Sequence, residues 1–247
     1  MRKFFIEENQ IEENVAKILG DDVNHIKNVL RLDIGTHLNI SVIGKNKSYE
    51  CEITDISKEE VVLKVTQELE VKDDKVILDI YQGLPKFDKM ELIIQKCVEL
   101  GANSFIPVSM KRSIAKFPNQ KDEDKKLERW QKIAEVAAKQ SKRNTIPEVK
   151  HILKLHDVIE KAKEYDLMLL AYENEENLYI KEALKSLDKK DKYKIGIIIG
   201  PEGGLSPEEV EEVNDSSIKV VSLGDRILRT ETAPIMMASI IMYELEN

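Results

Sequence analysis

The stretch KIGIIIGPEGGLSPEEVEEV, residues 194–213, decides the reading of the fold. Ile197-Ile198-Ile199 is a continuous apolar run, the pattern of a strand buried on both faces. It empties into Gly200-Pro201-Glu202-Gly203-Gly204, and a helix starts almost at once. Ser206 is a good N-cap, Pro207 suits the first helical position, and Glu209 completes a capping box. Strand, glycine loop and helix form the repeating unit of a parallel α/β sheet, whose ligands lie beyond the carboxyl ends of the strands.

The chemistry of this loop is restrictive. Adjacent glycines permit positive φ and let a ligand approach the backbone. A phosphate-binding turn leaves the helix N-terminus free for an anion. Here Ser206, Glu208 and Glu209 already fill that position, and Glu202 adds another carboxylate. A phosphate meets repulsion, and the loop fits neither G-x-G-x-x-G nor G-x-x-x-x-G-K-[ST]. A dinucleotide or nucleoside triphosphate is disfavoured. An adenosine-type cofactor without phosphate and with positive charge is compatible, and S-adenosylmethionine, a sulfonium, is the candidate. The other reading of the same residues is a glycine turn that only joins a strand to a helix.

Outward from this unit, strands are expected at 76–82, 104–108, 167–172, 195–200 and 218–223, and helices at 88–100, 123–142, 155–165, 176–187, 207–214 and 231–246. This alternation predicts a parallel sheet covered on both faces. Residues 1–75 read differently. HLNISVIG (37–44), KSYECEITDI (47–56) and EEVVLKVTQEL (59–69) are rich in β-formers. Val23, Ile26, Val29 and Leu30 space out one face of a helix over 21–32. The charged EVKDDK (70–75) links this small barrel to the α/β part, giving domains 1–72 and 73–247.

Two further strand-end loops carry chemistry. Gly224–Pro234 crowds Asp225, Arg226, Arg229 and Glu231 between buried elements, a density that is costly unless each charge has a partner or a task. Thr230 or Thr232 can cap the last helix. The loop after LMLLAY begins with Glu173.

The bulk properties set limits. Of 247 residues, 42% are hydrophobic, enough for a core, and no apolar run approaches the roughly 20 residues of a membrane span. The start, MRKFFIEENQ, lacks a signal-peptide core because Glu7 and Glu8 interrupt it. Cys51 and Cys97 give no disulfide framework, and His25, His37, His151 and His156 show no metal-ligand spacing. No metal is expected, and the cytoplasm is the expected compartment. Cys97 reads as a core filler, Trp130 as core or interface packing, and Met236 and Met237 as packing of the last helix, across a dimer or within one chain. The formal net charge of −8 argues against nucleic acid, but residues 111–150 hold 12 Lys and Arg against 6 Asp and Glu. That segment reads either as a solvated helix face or as a phosphate contact on an otherwise acidic body.

HIKNVLR, QGLPKFDKMELIIQKCVELG, RWQKIAEVAAKQSKRNTIPEV, IGPEGGLSPEE and LGDRILRTETA occur in this order along almost the whole chain. Together they resemble the SPOUT-class RNA methyltransferases of the RsmE type, which methylate N3 of a uridine in small-subunit ribosomal RNA. Phe87, where that family usually has a small residue, and Lys111 depart from its pattern. The resemblance implies a C-terminal parallel-sheet SPOUT domain with a trefoil knot, preceded by a PUA-like RNA-binding barrel, in a homodimer. It also implies a bent S-adenosylmethionine cradled by three loops. The residues involved would be Leu170, Ala171 and Glu173; Gly200, Pro201, Glu202, Gly203 and Gly204; and Leu223, Gly224, Ile227, Leu228, Thr232 and Ala233.

Methylating an imide nitrogen requires loss of its proton and stabilisation of charge on the carbonyl oxygens. Arg229 and Glu231 are the candidates for these tasks. Arg31, Arg112, Lys116, Arg129, Lys139, Lys142 and Arg143 are candidates for holding the RNA backbone. A non-catalytic RNA-binding protein would not need an intact GPEGG and RILRTETA, and the carboxylate-filled helix start argues against a nucleotide-dependent oxidoreductase.

Overall fold

In the computed structural model the described residues are 2–115, 117 and 119–246, so Lys116 lies outside them. The chain divides into two compact units, Met1–Asp73 with Ala138–Ile146, and Asp74–Ala137 with Pro147–Asn247.

The first unit is a curled sheet of β1 (Lys3–Ile6), β2 (Ile11–Glu12), β3 (Val15–Leu19), β4 (His37–Val42), β5 (Ser48–Ile56) and β6 (Glu60–Leu69), in the order β1-β4-β5-β6-β3-β2. Strand alternation puts Leu38, Ile40 and Val42 on the same inner face as Cys51, Ile53, Val61 and Leu63, closing a core with Phe4, Ile6, Ala16 and Ile18. Register shifts at Glu50/Cys51 and Ile53/Asp55 bend β5 and let the sheet curl. The helix expected over 21–32 is present over residues 21–29, but it widens after its first turn. A short α1 (Asp21–Asn24) passes into a wide turn over His25–Val29, where the Leu30 N–H donates to the His25 carbonyl at 2.8 Å. The wider turn carries Val29 off the inner face. Val23 and Ile26 are buried, but Val29 is 62% exposed.

Residues 138–146 belong to this unit through two polar contacts. Lys139 Nζ donates to both Asp22 carboxylate oxygens at 2.9 and 2.8 Å. Lys3 Nζ donates to the Asn144 side-chain oxygen.

The second unit is a parallel sheet of β7 (Val76–Gly83), β8 (Ser104–Ser109), β9 (Glu148–Val149), β10 (Leu153–Lys154), β11 (Leu167–Ala171), β12 (Tyr193–Ile199) and β13 (Lys219–Val221). The order is β10-β8-β7-β12-β11-β13, with β9 beside β8. Its helices are α2 (Lys89–Glu99), α3 (Gln120–Gln140), α4 (Leu155–Lys161), α5 (Ile180–Lys185), α6 (Pro207–Asn214) and α7 (Thr232–Glu246). α2, α5 and α7 pack together, and α4 packs with α6. Tyr81, Ile106, Val108, Met168, Leu170 and Ile198 of the sheet close a core with Leu155, Val158 and Val213 of α4 and α6. From β7 the chain runs one way to β8, while β12 lies on its other side. The crevice between the carboxyl ends of β7 and β12 is therefore the switch point where α/β sheets bind ligands. Cys97 and Trp130 are buried as expected, Trp130 with its ring edge-on to Phe117 at 6.3 Å.

Burial lowers the Lys3 ammonium to about 8, against about 10.4 in an unfolded chain. Between these values the unfolded chain binds more protons, so this group's penalty is complete below about pH 8 and fades as pH rises towards 10.4. Urea unfolding of wild type and Lys3→Met across pH 7–10 should show the wild type gaining stability on the variant above pH 8. Parallel curves would deny Lys3 this role.

Candidate active site

The loop after β12 docks onto the end of β7. A Cβ at Gly83 would lie 2.7 Å from Pro201 Cδ, so only glycine at the last position of β7 permits the approach. Thr230 then ties the crossing. Its buried hydroxyl donates to the Gly200 carbonyl at 2.7 Å and accepts from Gln82 Nε2 at 2.9 Å. Gln82 is fully buried; Nε2 also donates to the Gly83 carbonyl, and Oε1 has no hydrogen-bond partner. Thr230 therefore cross-links two strand ends rather than capping α7.

Of the paired glycines, only Gly204 has positive φ, at 66°. Gly203 serves proximity of another kind, because a Cβ there would sit 3.0 Å from the Arg112 Cβ. Arg112 Nη1 donates to the Gly203 carbonyl at 3.0 Å, so this arginine staples the loop after β8 to the glycine loop. The α6 start is filled as expected. Ser206 N–H donates to Glu209 Oε2 at 2.8 Å, and Glu209 N–H to Ser206 Oγ at 3.3 Å. Glu209 is buried, and its other oxygen accepts from the Lys111 N–H at 2.7 Å. Glu208 accepts from the Ser206 hydroxyl and from Lys111 Nζ, which holds its carboxyl at about 2. Of the backbone donors at this helix start, the Ser206 and Glu209 N–H groups are thus taken by side-chain oxygens, and Pro207 has none.

Charge is arranged unevenly around the crevice. Lys89, at the start of α2, reaches Glu202 at 3.0 Å and Glu231 at 3.1 Å. Its bonds to Glu202 and then Glu231 hold the ammonium above its usual range. Burial alone would raise the Glu202 carboxyl; hydrogen bonds from its own and the Lys86 N–H groups and from Lys89 outweigh it and keep the group ionised below the usual carboxylate range. The Glu173 carboxylate lies against Gly204, 3.1 Å from the position of a Cβ there. Arg229 is exposed and has no carboxylate within ion-pair distance among the described residues. Of the charges crowded into Gly224–Pro234, Glu231 is paired, while Asp225, Arg226 and Arg229 face solvent, where an unpaired charge costs little.

A model of the RNA methyltransferase domain matches residues 72–242, and one of the RNA methyltransferase PUA domain matches residues 18–66. The chain is 39% identical to the ribosomal RNA small subunit methyltransferase E of Bacillus subtilis (strain 168), over 100% of this chain and 98% of that protein. It belongs to that methyltransferase family. A relative of the same name from Mesomycoplasma hyopneumoniae (strain 232) is 33% identical over 96% of this chain and 97% of its own. The crystal structure of a ribosomal RNA small subunit methyltransferase E from Neisseria gonorrhoeae bound to S-adenosyl methionine superposes with a TM-score of 0.86 at 27% identity, covering 99% of this chain and 98% of that one. The architecture expected from the sequence, a PUA-like barrel followed by a parallel α/β sheet, is the one observed.

Within this methyltransferase the structure brings Gly200–Gly204, Glu173, Thr230 and Glu231 around the switch point. Leu170 and Ala171 end β11, and Thr232 and Ala233 open α7. Leu223 and Leu228 are half-buried, while Gly224 and Ile227 are exposed. Sequence reasoning missed Gln82, Lys86 and Lys89, although QGLPKFDK follows directly from a strand end and the switch-point rule marks it. Among the phosphate candidates, Arg129 is bound to Glu91 at 2.7 Å and Lys139 to Asp22, whereas Arg31 and Lys142 are exposed with φ of 50° and 60°. Arg143 is half-buried. Phe87 also has positive φ, 55°, which costs a residue with a Cβ about 1–2 kcal/mol.

Thr230→Val removes a buried donor and acceptor together, leaving the Gly200 carbonyl and one Gln82 amide N–H unpaired, and should lower the unfolding free energy by about 1–3 kcal/mol. In a double-mutant cycle the Gln82→Leu and Thr230→Val losses should fall short of additivity. Additive losses in denaturant melts would show that the two side chains do not act as a unit.

Proposed function

We propose that the protein uses S-adenosylmethionine to methylate N3 of a uridine in small-subunit ribosomal RNA. The observation that carries the reading is full-length similarity to ribosomal RNA small subunit methyltransferase E, joined to a switch-point crevice whose helix start is saturated by carboxylates. The crevice fits the cofactor. It has no free turn for phosphate, it bears the Glu202 and Glu173 carboxylates for a cationic ligand, and it keeps a buried acceptor, Gln82 Oε1, without a partner. When bound, S-adenosylmethionine supplies an electrophilic methyl group on a sulfonium.

The holding residues in this reading are Leu170, Ala171, Glu173, Gly200–Gly204, Leu223, Gly224, Ile227, Leu228, Thr232 and Ala233. Arg229, a cation without an ion-pair partner among the described residues, stabilises the negative charge that develops on the uracil carbonyls. Glu231 accepts the imide proton, and Lys89 holds its carboxylate in place. No residue of this scheme calls for a metal, and no group of His, Cys, Asp and Glu suited to one occurs among the described residues.

Residues 1–72 would dock RNA and residues 73–247 would carry the transfer. Arg31, Lys142 and Arg143 are proposed phosphate contacts, together with Arg112, Lys116, Arg129 and Lys139. Homodimerisation is supported by α7, where Met237, Ala238 and Ile241 are buried but Ile235, Met236 and Ile240 are only half covered. A trefoil knot in residues 73–247 is proposed from the family alone. No helix of the described residues is long and apolar enough to cross a membrane, and the cytoplasm is the proposed compartment.

Arg229→Ala should cut methyl transfer by about 10²–10³-fold with S-adenosylmethionine affinity unchanged by calorimetry. Normal turnover by this variant would remove Arg229 from the mechanism. Lys89→Met should lower kcat and Lys89→Arg restore part of it, while equal rates in wild type and Lys89→Met would leave Glu231 without its support.

A further inference from the structure

Resting on the reading above, we propose that Phe87 is a stacking platform for a nucleobase that flanks the target uridine. Phe87 and Ile227 are the most exposed large apolar side chains among the described residues, at 87% and 86%. Both lie on loops at the carboxyl end of the parallel sheet, and both loops are tied to the glycine loop. Phe87 sits between Lys86, whose N–H donates to Glu202 at 3.0 Å, and Lys89, whose ammonium bonds the same carboxylate. Ile227 lies three residues before Thr230, which bonds the Gly200 carbonyl. Two of the least covered apolar groups thus stand at the rim of one crevice.

The folded chain gains almost nothing from Phe87 where it stands. The ring is not buried, and its backbone occupies a left-handed conformation that glycine would adopt without strain. A strained residue whose side chain contributes no packing points to a role outside the fold. The partner follows from the reaction. A uridine turned into a pocket must bring its neighbours across the rim, and single-stranded RNA bases stack on exposed aromatic rings. Lys89 is already held by Glu202 and Glu231, but Lys86, next to Phe87 in sequence, has no ion-pair partner among the described residues and gives this lip positive charge for a phosphodiester backbone. A second copy of this chain is the competing occupant, but a lip that carries the unpaired Lys86 suits RNA better than an apolar dimer contact.

The test compares wild type with Phe87→Gly, Phe87→Leu and Phe87→Tyr. Substrates are small ribosomal subunits lacking the modification and a fluorescein-labelled single-stranded RNA of mixed sequence. For Phe87→Gly, KM for subunits and Kd for RNA should rise about tenfold or more, with kcat within about twofold, S-adenosylmethionine affinity unchanged and thermal stability equal or higher. Phe87→Tyr should behave as wild type, and Phe87→Leu as Phe87→Gly. Unchanged RNA binding in Phe87→Gly overturns the proposal. Full function in Phe87→Leu replaces stacking by a merely apolar contact, and an altered sedimentation coefficient in Phe87→Gly assigns the ring to a subunit interface. Failure of wild type to methylate would refute the proposed function instead, and the RNA titration would still decide on Phe87.

Discussion

The Thr230 hydroxyl, held between the Gly200 carbonyl and the Gln82 amide, is the contact on which the crevice depends. It joins three segments distant in sequence: the end of β7, the loop after β12 and the approach to α7. Each would otherwise be a surface loop whose stability came only from its own turn. The absence of a Cβ at Gly83 makes this possible, because the loop and the strand end approach to a separation that any side chain would block. A hydroxyl suits the junction because it donates and accepts at once, and both partners are buried enough for a missing bond to be costly.

The second constraint is electrostatic. Glu209 is a buried carboxylate with two tasks, capping α6 through the Ser206 N–H and receiving the Lys111 N–H from the loop after β8. One residue therefore fills the helix start and fixes the neighbouring loop. The filled helix start follows from the way the loops are held, and substitution of Glu209 would disturb both together. Glu202 is a milder case. Its negative charge is real, but Lys89 and the Lys86 N–H share it, so the crevice is less acidic than the bare sequence suggests.

Strands β7, β8, β11, β12 and β13 of the parallel sheet were legible because each is a short, nearly continuous apolar run, whereas the two-residue β9 and β10 carry no such pattern. The α6 boundary was legible because Ser206, Pro207 and Glu209 act locally. Strands β1–β3 were not, since they are short and Lys- and Glu-bearing, and they owe their existence to pairing with β4 and β6 far along the chain. The turn after α1 defeated a periodicity of 3.6 because five residues there close one hydrogen-bonded ring. At the site, Glu231 and Gly204 could be picked out from strand-end loops, but the tasks of Thr230, Gly203 and Arg112 depend on partners 30 to 148 positions away, which no local pattern records.

The basic segment shows the same limit from the side of charge. Its count predicts one phosphate-binding stretch, but the structure distributes the cations among separate tasks. Arg112 staples the glycine loop, Arg129 joins α3 to Glu91 of α2, Lys139 holds Asp22, and Lys111 serves Glu208. A cation already paired with a carboxylate must give up that partner to hold a phosphate, and the exchange of one anion for another yields little net gain. Net affinity for a polyanion must come from cations without such partners, which are fewer than the sequence count. In the second unit the clearest of these is Arg229, whose guanidinium faces solvent beside the crevice. In the proposed scheme the charge that draws RNA and the charge that stabilises the reacting base are therefore the same group, used first at long range and then at contact.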